Sequence, residues 1–109
     1  MRDRGILYDI LKSARLIVQY VEGITHEAFD SDTKTQDAVI RRIEIIGEAA
    51  KRLTSAVASE LPSVDWAAIR GMRDHIVHRY WDVDLDVVWT AANRDVPALI
   101  VAVEGFLLA

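Results

Sequence analysis

The sequence predicts an all-α antiparallel bundle of four main helices, on three grounds. Apolar residues recur at i, i+3, i+4 and i+7 along most of the chain, no segment alternates as a half-buried strand does, and capping or breaking residues stand where the periodic stretches meet. In the first stretch Ile6, Leu7, Ile10, Leu11, Ala14, Ile17, Val18 and Val21 form one stripe, and Gly23 supplies the stop. The polar run "DSDTKTQD" offers Ser31 or Asp32 as N-cap of a long second helix carrying Ile40, Ile43, Ile46, Ala50, Leu53 and Val57. That helix is expected to end near Ser59, ahead of Pro62. Inside it Gly47 costs roughly 1 kcal/mol relative to alanine unless a neighbour needs the space, so it reads as a close helix crossing, the alternative being a merely tolerated glycine. "LPSVDW" reads as a tight connection whose Ser63 or Asp65 caps a third helix through Trp66, Ile69, Ile76 and Val77. Asp84 caps the fourth, which runs through Leu85, Val88, Trp89, Ala92, Val96, Leu99, Ile100 and Val103 and is expected to kink or split at Pro97.

The totals narrow the class. A chain of 109 residues is one domain's worth, so residues 1–109 are expected to form a single unit. The composition, 51% hydrophobic and 28% charged, is ordinary for a water-soluble protein. No stretch reaches the ~18 consecutive apolar residues of a membrane span. The start "MRDRGILYDILKSARL" has charges where a secretory signal needs an apolar core, which points to the cytoplasm. The absence of cysteine excludes disulfides, thiolate metal sites and a cysteine nucleophile. A net charge of -4 excludes nucleic-acid binding by the whole surface, so any such contact must be local.

One place concentrates the chemistry. "MRDHIVHRY", residues 72–80, holds Arg73, Asp74, His75, His78, Arg79 and Tyr80. At about 100° per residue, Arg73, Ile76, Val77 and Tyr80 project within one sector, while Asp74 and His78 share the flank beside it. Arg73 and His78 are then about 140° apart, a gap that a second copy of the helix across a two-fold axis would help to close. Metal-free RNA cleavage needs a base for the ribose 2′-OH, an acid for the leaving 5′-oxygen and a cation against the phosphate. Histidine serves as either proton carrier near neutral pH, and arginine offers a fixed fork of donors to phosphate oxygens. Asp74, one turn before His78, is placed to accept the hydrogen bond that orients the imidazole. Arg70, Arg79 and His75 are the candidate RNA contacts, supplying local positive potential within an acidic chain.

Other readings compete for the same residues. Spacing alone also fits a solvated helix face with Arg73 paired to a carboxylate and His78 half-buried. His75, His78 and Asp82 stand at i, i+3 and i+7, a metal-ligand spacing, but "YWDVD" reads as the helix exit and no HExxH pattern is present, so no metal and no cofactor are expected. His26, among Thr25, Glu27 and Asp30, reads as solvent-facing in a polar connection. Trp66 and Trp89 suit the core, whereas Trp81, beside Tyr80 in a charged turn, suits a partner surface. A non-catalytic helical module that grips a nucleotide or a partner protein is the alternative function.

With these residues in view, the chain resembles HepT, the toxin of HEPN/MNT (type VII) toxin–antitoxin systems. "RDHIVHRY" matches that family's R-x4-H-x-Y motif through Arg73, His78 and Tyr80, with Asp74 as the polar residue that commonly follows the arginine. "AVIRRIEIIGEAAKRL", "VDWAAIRGMRDHIVH" and "WDVDLDVVW" are similar to the family's segments around that motif, so the likeness spans residues 38–90. The resemblance implies an all-α HEPN bundle that dimerises with both motifs facing a shared cleft. It implies a metal-independent endoribonuclease acting on RNA rather than DNA, with Arg73 and His78 catalytic and Asp74 in support. It further implies an MNT-type nucleotidyltransferase antitoxin that attaches AMP to the motif tyrosine, here Tyr80. Bulk and negative charge added there would compete with RNA phosphate for Arg73.

Overall fold

A computed structural model describes residues 2–79 and 81–109 as helices and short connections, with no strand among them. The helices are α1 (Arg2–Val21), α2 (His26–Asp30), α3 (Thr33–Lys51), α4 (Ser55–Ser59), α5 (Trp66–His78), α6 (Leu85–Thr90) and α7 (Val96–Leu108), with a π-helical turn, Ala91–Asp95, joining α6 to α7. α1 buries the predicted stripe, with Leu7, Ile10, Ala14 and Ile17 wholly enclosed, and packs against α3 and α7. Val18, predicted to share that stripe, lies at its exposed edge. Gly23 ends α1 at φ 76°, a left-handed conformation in which glycine carries no Cβ penalty. Asp3 near the start of α1 accepts the backbone N–H of Thr54 at 3.2 Å and its hydroxyl at 2.9 Å, just past the end of α3. Arg4 donates to the carbonyl of Leu107 at 3.1 Å at the end of α7. Both ties join the start of α1 to a helix C-terminal region, so α1 runs antiparallel to α3 and to α7.

Of the two caps predicted for the second helix the structure uses Asp32, whose carboxylate accepts from Thr35 N at 3.1 Å and Thr35 Oγ1 at 2.6 Å. Those two bonds hold the Asp32 carboxyl below its ordinary pKa. Asp65 caps α5 by accepting from Ala68 N, and Asp84 caps α6 as expected.

Two expectations need correction, and the predicted split of the last helix takes a specific form. The second helix does not reach Ser59: it stops at Lys51, and Thr54 starts a new turn by accepting Val57 N. Asp3 holds Thr54 in that capping position, a tertiary contact that helix periodicity does not contain. The last helix breaks ahead of Pro97, in the π turn. Proline has no N–H and its ring crowds the carbonyl four residues back, so Pro97 sits in the first turn of α7 and the disturbance falls on residues 91–95. The segment around His26 is a helical turn capped by Thr25, not a bare connection. Within it Phe29 is fully buried, and the His26 ring stacks on Trp89 at a centroid distance of 5.2 Å. His26 Nε2 meets Asp86 at 2.9 Å and Asp30 at 3.7 Å, so this histidine pins α2 to α6. Trp66 is in the core as predicted, and Trp89 is partly buried against it; Trp81 is 84% exposed.

The predicted crossing at Gly47 is real. A Cβ built on Gly47 would overlap Arg73 Cβ, lie 2.8 Å from Arg73 Cγ and stand 3.4 Å from the carbonyl oxygen of Ile69. α3 and α5 therefore meet almost backbone to backbone, and α3 is the element that carries α5. An exposed helical Gly→Ala change gains about 1 kcal/mol of helix propensity, whereas overpacking costs about 1–3 kcal/mol. Because the obstacle is the root of the Arg73 side chain rather than its flexible tip, Gly47→Ala is expected to lower the urea midpoint, while Gly105→Ala, with no atom within 4 Å, raises it.

Candidate active site

α5 presents the predicted cluster because its apolar residues fix its rotation. Trp66 and Ile76 are buried, so Arg73 and Asp74 face the α3 side and His78 emerges exposed at the C-terminal end. Arg73 is the better enclosed of the pair, with 23% of its side chain exposed and its Nε shielded from solvent without a hydrogen-bond partner. Its Nη2 donates to Glu48 Oε1 at 2.8 Å and its Nη1 to Asp74 Oδ1 at 3.3 Å. The same Asp74 oxygen accepts from Lys51 Nζ at 3.0 Å. Glu48, Arg73, Asp74 and Lys51 thus form a chain of alternating charge whose outer members both come from α3.

The electrostatics follow from those contacts. The hydrogen bond and charge of Arg73 hold the Glu48 carboxyl below its usual range. Asp74 is lowered first by Lys51 and then by Arg73. Arg73 is raised by Glu48 and, next, by Asp74, so its cation is fixed at every working pH.

His78 Nδ1 lies 2.8 Å from the backbone carbonyl oxygen of Asp74. A carbonyl only accepts, so Nδ1 carries the hydrogen and the Nε2 of the neutral ring is left with its lone pair. Asp74 therefore does orient His78, but through its main chain; its carboxylate is committed to Lys51 and Arg73. The other candidates separate. His75 is partly buried and its Nε2 is enclosed without a partner, so that nitrogen is not displayed to RNA. Arg70 is half-buried and forms no ion pair with any described residue. Arg79 closes α5 and donates to Asp82 at 2.9 Å, which raises its pKa. Asp82 lies beyond the helix in that pair, out of register with His75 and His78. Tyr80, the expected modification site, lies outside the described residues.

Sequence reasoning did not assign roles to Glu48 and Lys51. Their signal was present as i, i+3 partners directly after the crossing glycine of "IGEAAK", but the facing helix could not be known from spacing. A separate cavity of about 340 Å³ opens between α3, the start of α5 and the π turn, lined by Ile43, Ile46, Ile69, Met72 and Leu99 among others. It contains neither Arg73 nor His78 and takes no part in the arrangement above.

A family profile described as "Ribonuclease HepT-like" matches residues 10–105. The chain belongs to that family. Its relatives include a Thermococcus cleftensis protein named "Probable ribonuclease HepT", 40% identical over 88% of this chain and 87% of that protein. A Methanocaldococcus jannaschii protein, provisionally named as an RNase, is 36% identical over 95% of this chain and 86% of its own length. A Caldanaerobacter subterraneus protein, also provisionally named as an RNase, is 34% identical over 95% and 93%. No solved structure matches the chain significantly. The match to the HepT-like family agrees with the all-helical fold and with the resemblance drawn from the motif.

The hydrogen bond to the Asp74 carbonyl makes a tautomer prediction. Long-range ¹⁵N–¹H NMR spectra above the histidine titration are expected to show His78 with hydrogen on Nδ1; the Nε2–H form would remove the free base from the site.

Proposed function

We propose that this HepT-like chain is the ribonuclease toxin of a HEPN/MNT toxin–antitoxin pair, a metal-independent endonuclease working through Arg73 and His78. The observation that carries the proposal is the pairing of a cation held at fixed aim with a histidine whose Nε2 is free and exposed, five positions apart on one helix. In this reading a neutral His78 takes the proton of a ribose 2′-OH. The 2′-oxygen attacks phosphorus, Arg73 stabilises the charge gathering on the phosphoryl oxygens, and a protonated histidine returns a proton to the departing 5′-oxygen. Side chains alone supply the proton transfers and the positive charge. Two histidines in opposite protonation states suit a cleft built from two copies of α5. The apolar side chains of Val77 near the end of α5 and Trp81 just beyond it, both substantially exposed, support such an assembly. No helix of the described residues is long and apolar enough to cross a membrane.

Cleavage of total cellular RNA in chelator tests the assignment. Arg73→Ala and His78→Ala are each expected to abolish cutting with helix content and oligomer mass unchanged, and full activity in either would remove it. A protein that shifts RNA mobility in proportion to its amount, with no turnover, would instead be the binding module.

The second part of the proposal concerns silencing. A nucleotidyltransferase partner joins the Tyr80 oxygen to the α-phosphorus of ATP and releases pyrophosphate, leaving a bulky anion two residues from His78. Mass spectrometry is expected to find one added AMP on the peptide containing "HRYW" when the partner and ATP are supplied. An adduct undiminished in Tyr80→Phe would place the modification elsewhere.

A further inference from the structure

Arg73 is gripped at two levels. At its root, the Gly47 crossing leaves no space between α3 and the Cβ and Cγ atoms. At its tip, two carboxylates bind different terminal nitrogens, Glu48 on Nη2 at 2.8 Å and Asp74 on Nη1 at 3.3 Å. Two anchor points fix the plane of a rigid, planar guanidinium, and each terminal nitrogen retains an N–H for another acceptor. The two anchors are unequal. The Asp74 contact is longer, comes from the adjacent residue and uses an oxygen already shared with Lys51 at 3.0 Å. Glu48 makes the shorter bond, and among the described residues its carboxylate forms an ion pair with Arg73 only.

We propose that Glu48 is a positioning residue of the site, its carboxylate fixing the plane of the Arg73 guanidinium so that the remaining N–H donors receive the RNA phosphate. The proposal rests on the ribonuclease reading above and adds to it a residue outside the motif, on a different helix. Its charge gives it a distinctive consequence. Glu48, Arg73, Asp74 and Lys51 sum to zero, so Glu48 weakens the attraction for a phosphate while it sharpens the aim of the arginine. Removing it should therefore slow the chemical step without weakening RNA binding. A folding defect does otherwise: it lowers the active fraction and leaves KM unchanged.

The experiment compares the wild-type chain with Glu48→Ala, Glu48→Gln and Arg73→Ala on a fluorescent single-stranded RNA oligonucleotide of mixed sequence, in chelator and at low salt. Glu48→Ala is expected to lose about 10- to 100-fold in kcat, the scale of a misplaced catalytic group, together with a lower KM, because the carboxylate that opposes the phosphate is gone. Glu48→Gln still accepts the Nη2–H bond without the charge, so it should keep most of kcat and bind the RNA more tightly, a gain that fades as salt is added. Wild-type kcat in Glu48→Ala, or a Glu48→Gln as slow as Glu48→Ala, would overturn the positioning role. Arg73→Ala separates the layers: if it cuts RNA normally the catalytic assignment itself fails, whereas if it is dead and Glu48→Ala is normal only the positioning role fails. Side-chain NMR reads the hold without turnover. The Arg73 Nη–H resonances are expected to be resolved in the wild-type chain and in Glu48→Gln and averaged in Glu48→Ala; identical spectra in all three would overturn the proposal even in a chain that cuts nothing.

Discussion

Where α3 crosses α5, Gly47 leaves no room for a methyl group, since a Cβ there would overlap the root of the Arg73 side chain. The remaining features of the site depend on this closeness. With the two backbones so near, Glu48 reaches Nη2 of Arg73 and Lys51, one turn further along, reaches Asp74. A wider crossing would leave Arg73 with only its sequence neighbour as a partner, and a long cationic side chain with one weak tether samples many rotamers. The glycine is thus less a weak point in α3 than the reason the motif arginine can have a fixed direction on a surface helix.

Much of this was legible in the sequence because burial follows local rules. Most of the α1 stripe, Trp66 and Ile76 of the α5 stripe and the caps at Asp32, Asp65 and Asp84 are short-range patterns that the structure keeps, whereas Val77, predicted for the α5 stripe, is exposed. Gly47 was legible too, as an unexplained cost inside a helix. What escaped was set by contacts distant in sequence. The break after Lys51 depends on Asp3, fifty-one residues from Thr54, and the role of His26 depends on Asp86, sixty residues away. At the site, the motif pointed to Arg73 and His78, yet Glu48 stayed unassigned because periodicity places a residue on a face without saying which helix it meets. The part played by Asp74 divided between its carboxylate and its carbonyl for a similar reason: a residue name does not say which of its oxygens is used.

The charge distribution reconciles an acidic chain with an anionic substrate. The net charge of -4 resides outside the crossing, where the four paired residues cancel one another. A phosphate approaching the motif therefore meets oriented donors rather than a broad positive field. Such a site gains little from long-range attraction and depends on geometry, because surface charges farther apart than a Debye length of about 8 Å are largely screened at physiological salt. Arg70, without an ion pair among the described residues, is the nearest cation on α5 left to add attraction.

For the mechanism proposed above, the remaining constraint is the separation of Arg73 and His78. Five residues along a helix amount to about 7.5 Å of rise, and Arg73 is held back toward α3 while His78 emerges at the end of α5. One chain thus offers a cation bonded to Glu48 of α3 and an imidazole bonded to the main chain of its own helix, with different supports. Loosening either support would bring them together only by giving up the orientation that makes each useful. In the proposed dimer, two copies of α5 facing one another would resolve the conflict without loosening anything, because the arginine of one copy would face the histidine of the other. The second copy also supplies a second imidazole, which the cleavage reaction requires if one ring accepts a proton while another donates one.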